Sequence, residues 1–299
     1  MKIILEEQGL RDGIQNLSKI VPTQTKLAYI DRLVAAGLTR IQVGSFVHPK
    51  FVPQMADTDA LCKLIVKKEG VIYDGLALNL KGIERGIAAG LTHLSMSISA
   101  SNTHSLKNVR MTIDEAKTNI KAMVQLSQAN GITVRGGVQC AFGCRFEGKI
   151  SPESVLDLVK YLLDLGVEEI ALADSTGMAN PKSLKELMIQ VVALAQNKPV
   201  ALHLHNTENK GLANVYAAIE AGVRQFDTAF GGLGGCPFIE SATGNIATED
   251  TAHLLHQMGC QTGIDIAQIV ALSHEMETFL GYQLPSTMYK IWNKNVAIV

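Results

Sequence analysis

The stretch Gly37-Leu-Thr-Arg-Ile-Gln-Val-Gly-Ser45 decides the predicted fold, because its form recurs along the chain. It follows a helical pattern and opens with a glycine, which suits the left-handed residue just past a helix end. An apolar residue then begins a β-like run. The same form occurs in Gly90-Leu-Thr-His-Leu94, Gly131-Ile-Thr-Val134, Gly166-Val-Glu-Glu-Ile170 and Gly222-Val-Arg-Gln-Phe226. These evenly spaced helix–glycine–strand units predict alternating β and α elements.

The predicted helix starts agree with this alternation. Thr112-x-x-Glu115 has the form of a capping box. Ser151-Pro152 and Asn180-Pro181 each place a capping residue before a proline at the first helical position. No linker or low-complexity segment interrupts the pattern, so we expect a single domain over residues 1–299.

The β-like runs predict about eight strands. They lie near residues 2–6, 39–45, 71–78, 93–98, 132–141, 168–173, 200–205 and 225–230. Helical patterns fall between them and two more follow the last, which predicts an α/β fold, a (β/α)8 TIM barrel with additional C-terminal helices. We expect the barrel over about 1–260 and the helical extension over about 261–299. A doubly wound open sheet is the alternative, but no Gly-x-Gly-x-x-Gly follows the first strand.

Composition narrows the classes of function. The chain has 299 residues, 47% of them hydrophobic, and a net charge of −1 without basic runs, so no nucleic-acid partner is expected. No apolar stretch approaches the roughly 20 residues that span a bilayer, so no membrane partner is expected either. The N-terminus enters a strand-like run at once, without the pattern of a targeting peptide. The 5 scattered cysteines favour a reducing compartment, and we expect a cytoplasmic protein. Cys140-x3-Cys144 has the form of a zinc half-site, but no second pair accompanies it. The sequence is compatible with a homo-oligomer as well as with a monomer.

The stretch Val200-Ala-Leu-His-Leu-His-Asn-Thr207 points to chemistry. Side chains alternate along a strand, so His203 and His205 share one face. The alternative is that one histidine packs in the core and the other is solvated. In a TIM barrel, functional groups collect at the C-terminal ends of the strands, where Asp12 and Asn245 are also expected. One carboxylate, two imidazoles and one amide suit a six-coordinate Mg²⁺ or Mn²⁺.

Several motifs between residue 7 and about residue 250 fit one family pattern. They are Arg11-Asp-Gly-Ile-Gln-Asn16, Ser45-Phe-Val-His-Pro-Lys-Phe-Val-Pro-Gln-Met-Ala-Asp57, Arg135-Gly, Cys140-Ala-x-Gly-Cys144 running on to Pro152, Gly232-Leu-Gly-Gly-Cys-Pro237 and Gly244-Asn-Ile-Ala-Thr-Glu-Asp250. Together they resemble the 3-hydroxy-3-methylglutaryl-CoA lyases of the DRE-TIM metallolyase superfamily. The resemblance covers most of the chain.

The resemblance implies a metal-dependent retro-Claisen cleavage of a 3-hydroxyacyl-CoA, which in the lyase yields acetyl-CoA and acetoacetate. The metal ligands it implies are Asp12, His203, His205 and Asn245. Its implied catalytic residues are Arg11, Asp12, His203, Cys236 and Glu249, with Glu7 beneath the metal. We expect substrate contacts from Arg11, Gln42, Ser45, Asn102, Arg135 and Asp174.

Each implied catalytic role follows from the chemistry of the side chain. Arg11 would meet the charge that forms on the thioester oxygen. Cys236, on a mobile glycine-rich loop, would help to protonate the acetyl-CoA carbanion. His203 would carry a proton as well as bind metal, and Glu249 would support the loop and the site.

Plainer interpretations stand beside these roles. Arg11 and Asp12 could form a structural ion pair, and Cys236 could be a packing residue. The glycine-rich loop could bind phosphate. Asp174 could cap the helix near Pro181 rather than contact substrate.

The chain departs from the family pattern in its predicted substrate pocket. The resembling sequences have Glu where this chain has Gln42, Glu at Asn102, Ser at Ala171 and Asp at Asn206. We therefore expect 3-hydroxy-3-methylglutaryl-CoA or a close 3-hydroxyacyl-CoA analogue as substrate. The alternatives are a related aldolase, an enzyme that condenses an acyl-CoA with a 2-oxo acid, and a non-enzymatic barrel that binds a metabolite.

Overall fold

Eight parallel strands form a closed barrel in chain order, with the last strand paired to the first. The computed structural model describes residues 1–234 and 244–296, with side chains described as far as residue 292. The strands are β1 (Ile4–Glu7), β2 (Arg40–Ser45), β3 (Ile72–Leu76), β4 (His93–Ser99), β5 (Thr133–Gln139), β6 (Glu169–Ala173), β7 (Val200–His203) and β8 (Gln225–Thr228). The predicted TIM barrel is confirmed, and each predicted strand overlaps an observed one.

Helices surround the barrel and continue after it. They are α1 (Thr23–Ala35), α2 (Thr58–Leu64), α3 (Leu80–Ala88), α4 (Asn102–Val109), α5 (Ile113–Ala129), α6 (Pro152–Asp164), α7 (Pro181–Ala195), α8 (Gly211–Glu220), α9 (Thr248–Gln257), α10 (Ile266–Leu280) and α11 (Thr287–Val296). The predicted C-terminal extension contains α10 and α11, and because α9 also follows β8, three helices rather than the predicted two come after the last strand. Within residues 1–234 and 244–296, no helix is both long and apolar enough to cross a bilayer.

The local signals in the sequence act as predicted. Glycines 37, 90, 131, 166 and 222, which open the recurring stretches, all have positive φ angles. A left-handed residue at this point ends a helix at low steric cost only when it has no Cβ. Thr112 and Glu115 form the predicted capping box before α5. Ser151 and Asn180 accept backbone hydrogen bonds at the starts of α6 and α7.

Alternation along the strands separates an apolar outer face from a polar interior. In β6, Ile170 and Leu172 are fully buried and belong to the hydrophobic core. The side chain of Glu169, one residue away, instead reaches Arg40 of β2, which is only possible across the inside of the barrel. Interiors of such barrels are usually filled by branched apolar residues, so this polar interior is unusual.

Five charged residues form an ion-pair network inside the barrel, here called the interior network: Glu6, Arg40, Arg135, Glu169 and Asp227. Arg40 donates to both oxygens of Glu169 at 2.8 and 2.7 Å and to Glu6 at 2.7 Å. Arg135 pairs with Glu6 at 2.9 Å and with Asp227 at 2.7 Å. All five side chains are buried, and each has an oppositely charged partner.

Candidate metal centre and active site

Three elements bring the predicted metal ligands together at the C-terminal end of the barrel. Asp12 lies in a π-helical turn, Gly9–Gly13, directly after β1. His203 is the last residue of β7, and His205 follows two residues later. Asn245 reaches the same place because it pairs with His205 in an isolated antiparallel bridge. Because β1 pairs with β8, Asp12 after the first strand and Asn245 after the last strand lie close together.

The three histidine and aspartate side chains form a compact cluster. Asp12, His203 and His205 each offer one ligand atom, and these atoms lie within 4.8 Å of one another. The Nε2 atoms of the two histidines are 3.2 Å apart, and Asp12 Oδ2 is 3.8 and 3.9 Å from them. Asn245 Nδ2 donates to Asp12 Oδ2 at 2.9 Å. The structure thus assembles all four predicted ligands, although they are far apart in the sequence.

Electrostatics favour the protonation states that a metal ligand needs. Burial alone would raise the pKa of Asp12, but the neighbouring Arg11 guanidinium holds that pKa well below its usual range. Burial lowers the pKa of His205 to about 4. Asp12 is therefore a carboxylate and His205 a neutral imidazole at neutral pH. Both are the ligating forms.

The donor set fits a hard divalent cation. The Oδ1 atom of Asn245 is buried and has no hydrogen-bond partner among the described residues. A buried amide oxygen without a partner is costly unless a ligand meets it. Two imidazole nitrogens 3.2 Å apart can share one proton, or, with both lone pairs free, can bind one cation. Mixed oxygen and nitrogen donors without thiolate suit Mg²⁺ or Mn²⁺ better than a closed zinc site.

Arg11 lies beside the cluster and faces neutral acceptors as well as Asp12. Its guanidinium donates to Asp12 Oδ1, to Gln42 Oε1 and, at 2.9 Å, to Gln8 Oε1. Asp12 is the one carboxylate among these partners, and Asp12 also faces the metal cluster. The positive charge of Arg11 is consequently available to an anionic group in the cavity.

A cavity of about 550 Å³ opens above the cluster. Three of the predicted substrate contacts, Arg11, Gln42 and Ser45, line it, and so do Asp12, His203 and His205. Ser45 and Ser97 also line it, and their hydroxyl oxygens are buried and have no hydrogen-bond partner in the described chain. Unpaired polar atoms in residues that line a cavity point to a ligand that would pair with them.

Gln42 bridges Arg11 to a carboxylate on the next strand. Its Oε1 accepts from Arg11, and its Nε2 donates to Asp74 Oδ2 at 2.5 Å. Ser95 donates to the same Asp74 oxygen at 2.5 Å. Burial, with Glu6 nearby, raises the pKa of Asp74 to about 6. The carboxylate missing at position 42 is therefore present one strand away, where it does not contact Arg11.

Two predicted substrate contacts are placed outside the cavity wall. Asn102, at the start of α4, accepts a hydrogen bond from the Ile113 backbone at 3.1 Å. Asp174 is fully buried, and its Oδ1 accepts from the Ala179 backbone at 3.1 Å within the turn before α7. The capping alternative is wrong, because Asn180 is the residue that caps α7. Arg135 does line the cavity, but its guanidinium is engaged by Glu6 and Asp227.

The glycine-rich loop has a well-defined anchor at its start. Glu249 is buried and accepts from the Gly231 backbone at 3.1 and 3.0 Å and from Ser273 at 2.9 Å. It holds the loop rather than facing the cavity. Cys236, predicted as catalytic, lies outside the described residues. Gly234 and Gly244, on either side of that segment, are so close that a Cβ on Gly244 would meet the Gly234 oxygen at 1.6 Å.

Glu7 also acts on the backbone rather than on the metal cluster. Its Oε1 accepts from Gly9 at 2.7 Å and from Phe230 at 3.0 Å, and its Oε2 accepts from Thr248 at 2.7 Å. Glu7 therefore ties β1 to the segments after β8, beside the turn that carries Asp12.

Sequence reasoning missed Asp74 and Asp227. Asp227 lies on β8 next to His203, in a strand whose other inward residue is Gln225. A polar residue at every second position of β8 was the signal that could have identified it. Cys140 and Cys144 are buried and belong to no group of three potential metal ligands in the part of the chain described.

Known proteins share this fold and much of this sequence. The family model described as HMGL-like matches residues 2–276. The chain is 38% identical to (R)-citramalyl-CoA lyase of Chloroflexus aurantiacus over 290 residues, covering 94% of this chain and 92% of that protein. It is 40% identical to mitochondrial hydroxymethylglutaryl-CoA lyase of Rattus norvegicus over 269 residues, covering 90% and 83%.

A solved structure agrees over nearly the whole chain. An HMG-CoA lyase of Acinetobacter baumannii, in complex with coenzyme A and 3-methylmalate, has a TM-score of 0.93 and 41% identity, covering 97% of this chain and 94% of that one. The relatives named above are carbon–carbon lyases. The sequence, the barrel and the metal cluster lead to one conclusion: the chain belongs to the HMGL-like family.

Proposed function

We propose that this protein is a divalent-metal-dependent carbon–carbon lyase that cleaves a 3-hydroxy-3-methylacyl-CoA with a terminal carboxylate. The products are acetyl-CoA and an oxo acid. The observation that carries the proposal is the cluster of Asp12, His203 and His205, with Arg11 beside it at the base of the cavity. A cation and a guanidinium side by side suit a reaction that moves negative charge between two oxygens.

The proposed reaction is a retro-Claisen cleavage. A base takes the proton of the 3-hydroxyl, its oxygen becomes a carbonyl, and the C2–C3 bond breaks. The electron pair of that bond moves into the thioester enolate, and C2 then takes a proton to give acetyl-CoA. When bound, the divalent cation lowers the pKa of the hydroxyl that loses its proton.

The residues of the chain divide this work. Arg11 meets the enolate oxygen, because its guanidinium lines the cavity with Asp12 as its one carboxylate partner. His203 lines the cavity as one of the proposed ligands of the cation that binds the hydroxyl oxygen. Cys236 is the proposed proton donor to C2, by its match to the family motif. Glu249 holds the backbone of Gly231 at the start of its loop.

Acyl-CoA as the substrate class is supported by the relatives and by the mouth of the cavity. Lys107 and Arg110 at α4 line the cavity. Their cationic groups lie over the rings of Phe146 and Phe51, at 4.8 and 5.5 Å from the ring centres. Cations at the mouth suit the phosphates of a coenzyme A that threads its thioester inward.

The acyl group is proposed to be 3-hydroxy-3-methylglutaryl or the analogue one methylene shorter, citramalyl. Both carry the hydroxyl and the terminal carboxylate that a cation binds together. Because Gln42 is uncharged, it does not repel a substrate carboxylate near Arg11, as a glutamate at this position would. Ser45 and Ser97 line the same cavity, and their hydroxyls have no hydrogen-bond partner in the described chain.

The test is a substrate panel with controlled metal. The purified protein is stripped with EDTA, returned to Mn²⁺ or Mg²⁺, and assayed for acetyl-CoA release from 3-hydroxy-3-methylglutaryl-CoA and citramalyl-CoA. We expect cleavage of at least one substrate, lost with EDTA and restored by metal. Condensation of acetyl-CoA with a 2-oxo acid, without any cleavage, would favour the condensing alternative. Ligand binding that is unchanged by EDTA, with no turnover, would contradict an enzymatic role.

A further inference from the structure

His203 and His205 differ in what their second ring nitrogen contacts. His203 Nδ1 is 3.2 Å from Asp227 Oδ2. His205 Nδ1 is buried and has no hydrogen-bond partner among the described residues. Asp227 is opposite His203 in the register of β7 and β8, so the contact is built into the strand pairing.

We infer that Asp227, held by Arg135, is a positioning residue that sets the tautomer and orientation of His203 for metal binding. The inference rests on the metal site of the proposed function but not on the identity of the substrate. It gives Arg135 a supporting role inside the barrel in place of the predicted substrate contact.

The direction of the hydrogen bond follows from the carboxylate. Asp227 Oδ1 accepts from Arg135 Nη2 at 2.7 Å, which leaves Oδ2 for His203. An ionised carboxylate can only accept, so His203 Nδ1 must carry the proton. In the neutral imidazole Nε2 then has the free lone pair, and this nitrogen is the one that faces His205 and Asp12. A carboxylate behind a histidine ligand has this effect in many metal sites.

Arg135 keeps Asp227 in the accepting form. The Arg135 guanidinium donates to Asp227 Oδ1 at 2.7 Å, and the two buried side chains form an ion pair in which the carboxylate accepts. Arg135 is itself fixed on its other side by Glu6, and Glu6 by Arg40. Because Asp227 has a rigid partner, it can hold the imidazole ring of His203 in one orientation.

The experiment compares Asp227→Asn with Glu169→Gln. Each variant removes one buried negative charge from an arginine of the interior network. Glu169, however, contacts Arg40 and lies four residues below Ala173, the neighbour of His203, or roughly 13 Å along the strand. Mn²⁺ affinity is measured on the full chain without substrate, by electron paramagnetic resonance titration. We expect Asp227→Asn to weaken Mn²⁺ binding about 10- to 100-fold and Glu169→Gln to change it less than about 3-fold.

A second measurement needs no variant. Long-range ¹H–¹⁵N spectra of the metal-free protein report which nitrogen of His203 carries the proton. We expect the Nδ1–H form. The Nε2–H form, unchanged Mn²⁺ affinity in Asp227→Asn, or equal losses in both variants would overturn the inference. A wild-type protein that binds no Mn²⁺ would overturn both this inference and the metal site of the proposed function.

Discussion

The two ends of the barrel interior are both polar, but they differ in how their polar atoms are paired. At the N-terminal end of the strands, Arg40 is matched by Glu6 and Glu169 at 2.7 to 2.8 Å, and Arg135 extends this network to Asp227 beside the cavity. At the C-terminal end, Asn245 Oδ1, Ser45 Oγ and Ser97 Oγ are buried without partners in the described chain. A matched network stabilises and orients, whereas unmatched atoms mark the place of a ligand.

The first prediction removes a ligand at the unmatched end and has the largest expected effect. His205→Ala deletes one imidazole from the cluster. Loss of metal assistance amounts to several kcal/mol of transition-state stabilisation, so activity should fall by roughly a thousandfold or more. The measurement is kcat/KM for acetyl-CoA release at saturating Mn²⁺. Near-normal activity would remove His205 from the ligand set.

The second prediction breaks the matched end. Arg40→Met leaves Glu6 and Glu169 without this shared partner, and removal of one side of a buried ion pair costs about 3–5 kcal/mol. Urea unfolding measures this loss of stability. Arg32→Met is the matched control, because the Arg32–Glu275 pair is exposed and should contribute less than about 1 kcal/mol. Equal effects would mean that the interior network has no special role in stability.

The third prediction concerns the anchor of the glycine-rich loop. Burial raises the pKa of Glu249 from 4.5 to about 7, so the folded state binds its proton more tightly than the unfolded state. The stabilisation from this proton is complete below about pH 4.5 and is lost as pH rises to about 7. Glu249→Gln cannot titrate but keeps an oxygen for Gly231.

Stability of the two proteins by urea unfolding at pH 5 and pH 8 tests this sign. Relative to Glu249→Gln, the wild type should lose about 2 kcal/mol between the two pH values. A difference between the two proteins that does not change with pH would contradict the raised pKa.

The fourth prediction has the smallest expected effect and concerns Gln42, which joins the two ends. Gln42→Glu alone places a second carboxylate against Asp74, where like charges repel. The double variant Gln42→Glu with Asp74→Asn exchanges the two groups and restores one carboxylate and one amide. We expect the double variant to change the ratio of kcat/KM for the two proposed substrates about tenfold. An unchanged ratio would mean that the charge at position 42 does not select the acyl group.

Much of the fold was predictable because its signals are local. The glycine of each recurring stretch and the caps at Thr112, Ser151 and Asn180 depend on a few neighbouring residues. Barrel geometry then places any residue after a strand at the same end, which is why Asp12 could be grouped with His203.

The remaining site features depend on contacts between residues that are far apart in the sequence, and no local pattern indicates such contacts. Asn102 and Asp174 follow strands, as substrate-binding residues often do, but their side chains accept hydrogen bonds from nearby backbone N–H groups. Gln42 departed from the family pattern, and only the fold shows that Asp74 faces it. The role of Arg135 depends on Asp227, which is 92 residues away in the sequence.

The contact between Asp12 and Asn245 has a consequence for the stability of the whole chain. These residues are 233 positions apart and meet across the seam between the first and last strands. An ion held by both would act as a reversible cross-link around almost the entire polypeptide, restricting the unfolded chain as a disulfide does. The concentration of the cation would then set the temperature at which the protein unfolds, as well as its turnover.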